Sequence, residues 1–408
     1  MARILAYTSP ARGDLYPLVP ILDELLRRGH DVHVRTLADE VERLAGRGFG
    51  ASPVDERIEA IRHDDWKAKG ARASLAAATA VFVARAPHDA SDLRSAIDAF
   101  DPDALILDIN PWGAMAVAEA SGRPWAAVAP YPLPIRSPQV PPFGPGLAPA
   151  RGPLGRLRDA VARPLIIGAV ERTILPRLNA VRATIDGRLA PVRSADDLYG
   201  RPPLLIYLTA EPFEYRRASW PPNVRMVGPC AWEPEVPPPA WLDSVTEPIV
   251  LVATSSEFQA DAILAQTAFD ALADSGMFVV ATLPSNDPGA LRVPANGRAE
   301  RFLPHTPILA RAAVAITHGG MGVTQKALAA GVPVVAVPFG RDQPEVARRV
   351  EVARAGVRLP RSRLRPETLR AAVSAAMGCR DGAASVAAGY RAAGGAAAAA
   401  SAIETLLD

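Results

Sequence analysis

Residues 314–338 read VAITHGGMGVTQKALAAGVPVVAVP. Val314 to Thr317 form a short apolar run. Gly319, Gly320 and Gly322 follow, a helical period runs to Ala330, and a second apolar run covers Val332 to Pro338. Strand, glycine turn, helix and strand in that order make the repeating unit of a parallel sheet. Glycines remove side chains where a backbone must approach a ligand. The helix start offers free N–H groups and the positive end of its dipole. The segment is therefore expected to seat a diphosphate, with His318 at its mouth bonded to a phosphate oxygen. A glycine-loosened turn with a solvent-facing histidine is the plainer alternative, and this segment alone leaves it open.

The same rhythm runs outward in both directions. Upstream lie the apolar runs Ile249 to Ala253 and Met277 to Ala281, with a helical period between them from Asp261 to Ser275. Near the start of the chain, Ile4 to Thr8, a helical period from Pro17 to Arg28 closed by Gly29, and Val32 to Val34 repeat the pattern. Ala104 to Leu107 stops at Asp108, and Trp112 to Ser121, Gly122 and Trp125 to Ala129 follow it. Two successive series of this kind predict an α/β fold of two Rossmann-like, doubly wound domains facing a cleft. Nine prolines between Pro130 and Pro153 predict a long irregular loop, and six between Pro229 and Pro248 predict a linker. The expected boundaries are 1–227 for a first domain, 228–248 for the linker and 249–385 for a second domain. A C-terminal helix over 386–408, rich in alanine, is expected to pack back on the first domain.

Composition narrows the function. The chain has 408 residues, too many for one ordinary core. Lys and Arg number 45 against 43 Asp and Glu, a formal charge of +2, which leaves no field to draw in nucleic acid or a membrane surface. No apolar run reaches the about 18 residues needed to span a bilayer. The chain opens without an export signal, and Cys230 and Cys379 form no paired motif, so a reducing, cytoplasmic location is expected. The loop Thr8 to Pro17 lacks the G-x-G-x-x-G of a dinucleotide-binding oxidoreductase, which ranks that reading last.

Four segments carry a more specific likeness: HGGMGVTQKALAAGVPVVAVPFGRDQPEVARRV (318–350), SPARGDLYPLVPILDELLRRGHDV (9–32), DALILDINPWGAMAVAEASGRP (103–124) and RFLPHTPILARA (301–312). Taken in chain order, they resemble the inverting GT-B glycosyltransferases of bacterial natural-product pathways, those of the calicheamicin type included, which use TDP-deoxysugars. The resemblance implies a role for each matched residue. His318 would touch the diphosphate. Gly319, Gly320 and Gly322 would let it approach backbone, and Val323 with Thr324 would supply helix-start N–H groups. Phe302 would stack on the base, Ser255 and Ser256 would contact phosphate, and Asp342 with Gln343 would bind the sugar hydroxyls, offering acceptors and donors together. Trp66, Phe82 and the Pro130 to Pro153 loop would line an apolar acceptor cavity.

Two positions depart from the family pattern. Where many relatives carry a glutamate that accepts from the ribose hydroxyls, this chain has Lys326, which cannot accept a hydrogen bond. A thymidine diphosphate donor, with its deoxyribose, fits that change. Where many relatives carry a histidine base, this chain has Asp14, with Asp108 matching the supporting carboxylate. A base is needed because the attacking hydroxyl must shed its proton. An ordinary aspartate is a weak one, so either mutual repulsion with Asp108 strengthens it or the acceptor is a phenol. Asp14 is open to a plainer role as a helix cap. The expected function is inverting transfer of a deoxysugar to an aromatic or polyketide hydroxyl, an enediyne among the candidates, without a metal or other cofactor. A nucleotide-sugar-binding partner protein with weak turnover is the alternative, and a homodimer is left open.

Overall fold

The structure is a computed structural model describing residues 1–407. Strands β1 (Arg3–Tyr7), β2 (Asp31–Thr36), β3 (Gly50–Pro53), β4 (Ala104–Asp108), β5 (Trp125–Ala129), β6 (Leu204–Tyr207) and β7 (Val224–Met226) form one parallel sheet in the order β3-β2-β1-β4-β5-β6-β7. Strands β8 (Ile249–Ala253), β9 (Phe278–Thr282), β10 (Gly297–Glu300), β11 (Ala312–Thr317), β12 (Val334–Ala336) and β13 (Gly356–Arg358) form a second, in the order β10-β9-β8-β11-β12-β13. Every residue of β4, β5, β6 and β8 is buried, because helices cover both faces of each sheet. In both sheets the strand order reverses at the centre, between β1 and β4 and between β8 and β11. The crevice at such a reversal, beyond the carboxyl ends of the strands, is where ligands enter.

Two long helices flank the first sheet, Ala71–Phe100 and Gly152–Ile185. The helix Trp112–Ser121 lies so close to Ala71–Phe100 that a Cβ at Gly113 would sit 1.8 Å from the Ala86 carbonyl oxygen. Only glycine fits there.

The tail is two helices. Arg380–Ala392 stays with the second domain, with Ala383, Val386 and Tyr390 in its core. A turn at Gly394 and Gly395, both at positive φ, then releases Gly395–Glu404 onto the first domain. There Ala399, Ala400 and Ile403 join the core containing Leu22 and Leu25, and Arg28 and His30 bind the Glu404 carboxylate at 2.5 and 3.1 Å. The crossing thus falls at Gly394, later than position 386, because the alanines ahead of it are buried in the second domain.

A buried polar chain also joins the two halves. Arg349 is 1% exposed and donates to Glu214 at 2.9 and 3.0 Å and to Glu345 at 3.0 Å. Tyr207 donates to Glu214 at 2.5 Å. The second carboxylate oxygen of Glu345 accepts from the backbone N–H groups of Gly144 and Gly146 at 2.8 and 2.9 Å, which fastens the proline-rich loop to the second domain.

Candidate active site

The residues expected on the acceptor side gather at the β1/β4 reversal. Asp108 ends β4, and its carboxylate accepts from the Ser9 N–H at 2.5 Å, the Ser9 hydroxyl at 3.1 Å and the Asn110 N–H at 2.7 Å. It therefore ties the loop after β1 to the loop after β4. Asp14 lies in the one-turn helix Arg12–Leu15, buried, and accepts from the Asn110 side-chain amide at 3.1 Å. The following helix, Val19–Arg27, starts at Leu18 without a side-chain cap, so Asp14 does not cap it. The support expected directly from Asp108 is relayed: Asn110 bonds to both carboxylates and stands between them. Burial, then the charge of Asp108, then that of Glu257 hold the Asp14 carboxyl well above the usual aspartate range. Burial raises Asp108 to about 6 against the pull of its N–H donors. On its other side Asn110 accepts from the Tyr131 hydroxyl.

The residues expected on the donor side gather at the β8/β11 reversal. Gly319 has a φ of +83°, and its N–H donates to the Thr317 hydroxyl at 3.1 Å. Gly320 precedes the helix Met321–Ala329, and a Cβ there would lie 2.2 Å from His318 Nε2, so the glycine makes room for the imidazole. A Cβ on Gly322 would meet open space. His318 is buried, its Nδ1 is 3.3 Å from the Ala253 carbonyl oxygen, and burial lowers its pKa. A carbonyl only accepts, so Nδ1 carries the proton and Nε2 faces the glycine turn.

The Thr324 N–H is already given to the Gly320 carbonyl at 3.2 Å, and its hydroxyl meets that of Thr317 at 3.2 Å. The helix-start donors without an intrahelical acceptor are therefore those of Met321, Gly322 and Val323, one position earlier than expected. Gln343 is also more committed than its sequence suggests. Its carbonyl accepts from the Phe339 and Gly340 N–H groups at 2.7 and 3.0 Å, and its amide donates to Gln259 at 2.6 Å. Asp342, raised to about 6 by burial, is the freer of the two. Ser255 is buried and bound to Gln259 and Asp261, whereas Ser256 is exposed. Phe302 is 48% exposed.

Lys326 donates to Glu233 of the linker at 3.0 Å, and Glu233 also accepts from the His305 and Thr306 N–H groups at 3.0 and 2.9 Å. Burial alone would raise Glu233. Lys326 and the Thr306 N–H outweigh it and hold the carboxyl down at about 2. His305 is pushed down to about 4 by burial and by Lys326.

The two sides meet. Trp66 of the first domain lies edge-on to Phe258 of the second, with ring centroids 4.8 Å apart. Arg341 bridges Asp65 at 2.7 Å and Glu257 at 2.5 Å. Tyr131 touches the cores of both domains and feels the charges of Asp14, Asp108 and Asp342. Trp66 and Phe82 do not share one cavity: Phe82 packs between His63 and Trp112, inside the helical layer. Asn110 and Tyr131 lie two residues past the ends of β4 and β5, a position that marks ligand contacts in such sheets, and could have been found on that ground. Glu233, in the linker, carried no such signal.

Comparison with known proteins agrees with this fold. The family described as erythromycin biosynthesis protein CIII-like, C-terminal domain, matches residues 266–404. A 4'-demethylrebeccamycin synthase from Lentzea aerocolonigenes is 33% identical over 393 residues, covering 92% of each chain. The calicheamicin glycosyltransferase CalG4 shares the fold with a TM-score of 0.73 at 23% identity, covering 100% of this chain and 98% of that one. Glycosyltransferase VinC, solved in complex with DTDP, shares it at 0.68 and 21% identity, with 99% of each chain covered. With two doubly wound sheets and a relative that similar over nearly its whole length, the chain belongs to the GT-B glycosyltransferases of natural-product pathways.

Proposed function

We propose that the enzyme transfers a deoxysugar from a thymidine diphosphate donor to a phenolic hydroxyl of an aromatic or polyketide product, inverting the anomeric centre. The observation that carries this reading is the pairing of the two crevices: a buried, hydrogen-bonded Asp14 on one side and a glycine-cleared helix start on the other. Asp14 takes the acceptor's proton as its oxygen bonds to the anomeric carbon and the bond to the diphosphate breaks. The raised pKa of Asp14 makes it a stronger base than an ordinary aspartate, and a phenol lowers the demand further. Charge developing on the diphosphate meets His318 and the N–H groups of Met321, Gly322 and Val323, which is stabilisation by prearranged dipoles.

The thymidine preference is supported by Lys326. Its ammonium cannot accept from a ribose 2'-hydroxyl, and the neighbouring Glu233 already accepts three hydrogen bonds, from Lys326, His305 and Thr306. A DTDP complex of VinC points the same way. The experiment is incubation with a panel of TDP-sugars and phenolic acceptors, enediyne aglycones among them. Mass spectrometry reads product, and the anomeric proton coupling in NMR reads configuration. A product of opposite anomeric configuration to the donor is expected, in the presence or absence of EDTA. Retention of configuration contradicts direct displacement.

A further inference from the structure

We infer that Asn110 is the positioning residue of the acceptor side, keeping Asp14 ionised and aimed through a hydrogen-bond chain that runs from Tyr131 to Asp14. This rests on the reading of Asp14 as the base.

An ionised Asp14 only accepts, which calls for the NH₂ end of the Asn110 amide on its side. The Tyr131 hydroxyl donates to Asn110 Oδ1, so the NH₂ group must be the end that faces Asp14, where Nδ2 lies 3.1 Å from Oδ1. The backbone N–H of Asn110 is held by Asp108 at 2.7 Å, so the main chain cannot swing the amide away. Asp108 acts on Asp14 through this residue, and no hydrogen bond joins the two carboxylates among the described residues.

The groups around Asp14 explain why a donor is needed. Asp108 at the end of β4 and Glu257 from the second domain are both negative. Arg85, on the helix Ala71–Phe100, is the nearby cation, and its own bonds go to the Ile61 carbonyl. Burial and two like charges favour protonated Asp14. The Asn110 N–H pulls the other way, favouring the carboxylate that accepts a proton from substrate. An aspartate at position 110 would offer no donor when ionised and would add a third negative charge.

The test is the pH profile of kcat/KM for wild type, Asn110→Ala, Asn110→Asp, Tyr131→Phe and Asp14→Asn, with TDP affinity measured in parallel. The base must be ionised, so losing the N–H raises its pKa and moves the acid limb upward. The limb is expected to rise by about one pH unit in Asn110→Ala, further in Asn110→Asp, and by less in Tyr131→Phe. TDP affinity stays within twofold, which shows that each variant is folded. Should Asn110→Ala not fold, Tyr131→Phe alone decides the direction. A uniform loss at every pH with an unmoved limb overturns the role of Asn110 while Asp14 stands. Near-full turnover in Asp14→Asn overturns both.

Discussion

At the scale of single residues, protonation states decide what the site does. His318 keeps its proton on Nδ1, and burial disfavours a second one. A diphosphate placed at the helix start reverses that preference, because an anion beside the ring favours imidazolium. TDP binding at pH 7.5 is therefore expected to take up a proton, and affinity is expected to fall as pH rises. Calorimetry in buffers of different ionisation heat reads this directly, and His318→Ala is expected to abolish the uptake. For Asp14→Asn, kcat is expected to drop about 10²- to 10⁴-fold with TDP affinity unchanged. The glycines and His318 stand out in the sequence because they follow a buried strand and open a helix, whereas Asp14 and Asp108 stand out only through their match to the family's motifs. Asn110 and Tyr131 carry the same positional signal past β4 and β5, but the sequence does not show what they pair with, and Glu233 carries no such signal. Their partners lie up to 96 residues away in the chain, and only the folded sheets bring them together.

At the scale of elements, the runs of apolar residues announced the central strands, because strands buried on both faces have no polar alternation to obscure them. The edge strands β3, β7, β10 and β13 were not read. They are three or four residues long, with glycine, proline or charged residues among them, and have no apolar run to display. The helix expected from Pro17 to Arg28 runs unbroken over Val19–Arg27, and a separate one-turn helix ahead of it, Arg12–Leu15, carries Asp14. Two tests belong here. Gly320→Ala places a methyl against the His318 ring. It is expected to weaken TDP binding about tenfold, equivalent to about 1.4 kcal/mol, with little change in melting temperature. Asp89, on the helix Ala71–Phe100 beneath β1, accepts from the Tyr7 hydroxyl at 3.3 Å, and burial pushes it up to about 8. A carboxyl raised in the folded state contributes stability that is full below its unfolded pKa of about 3.9 and is lost as pH climbs through 8. Asp89→Asn is therefore expected to raise the melting temperature at pH 9 by a few degrees, on the order of 2–4 °C per kcal/mol, and by little at pH 5. An equal gain at both pH values contradicts the assignment.

At the scale of the whole molecule, three connections set the two domains against each other: the Glu214–Arg349–Glu345 chain, the tail helix Gly395–Glu404, and the Asp65–Arg341–Glu257 bridge over the cleft. The first is buried, so removing its cation strands two carboxylates. Arg349→Ala is expected to cost about 3–5 kcal/mol in urea denaturation and to separate the unfolding of the two domains. The third is partly exposed and worth less in stability. Its position lets it govern how the halves close, with Trp66 and Phe258 beside it. The proposed transfer needs the Asp14 side of one crevice to face the helix start of the other. A crystal structure of the enzyme with TDP tests this most directly. The expected result is the diphosphate on the N–H groups of Met321, Gly322 and Val323 with His318 beside it, the base against Phe302, and the open end of the diphosphate pointing toward Asp14. A diphosphate bound elsewhere, or turned away from Asp14, would contradict it.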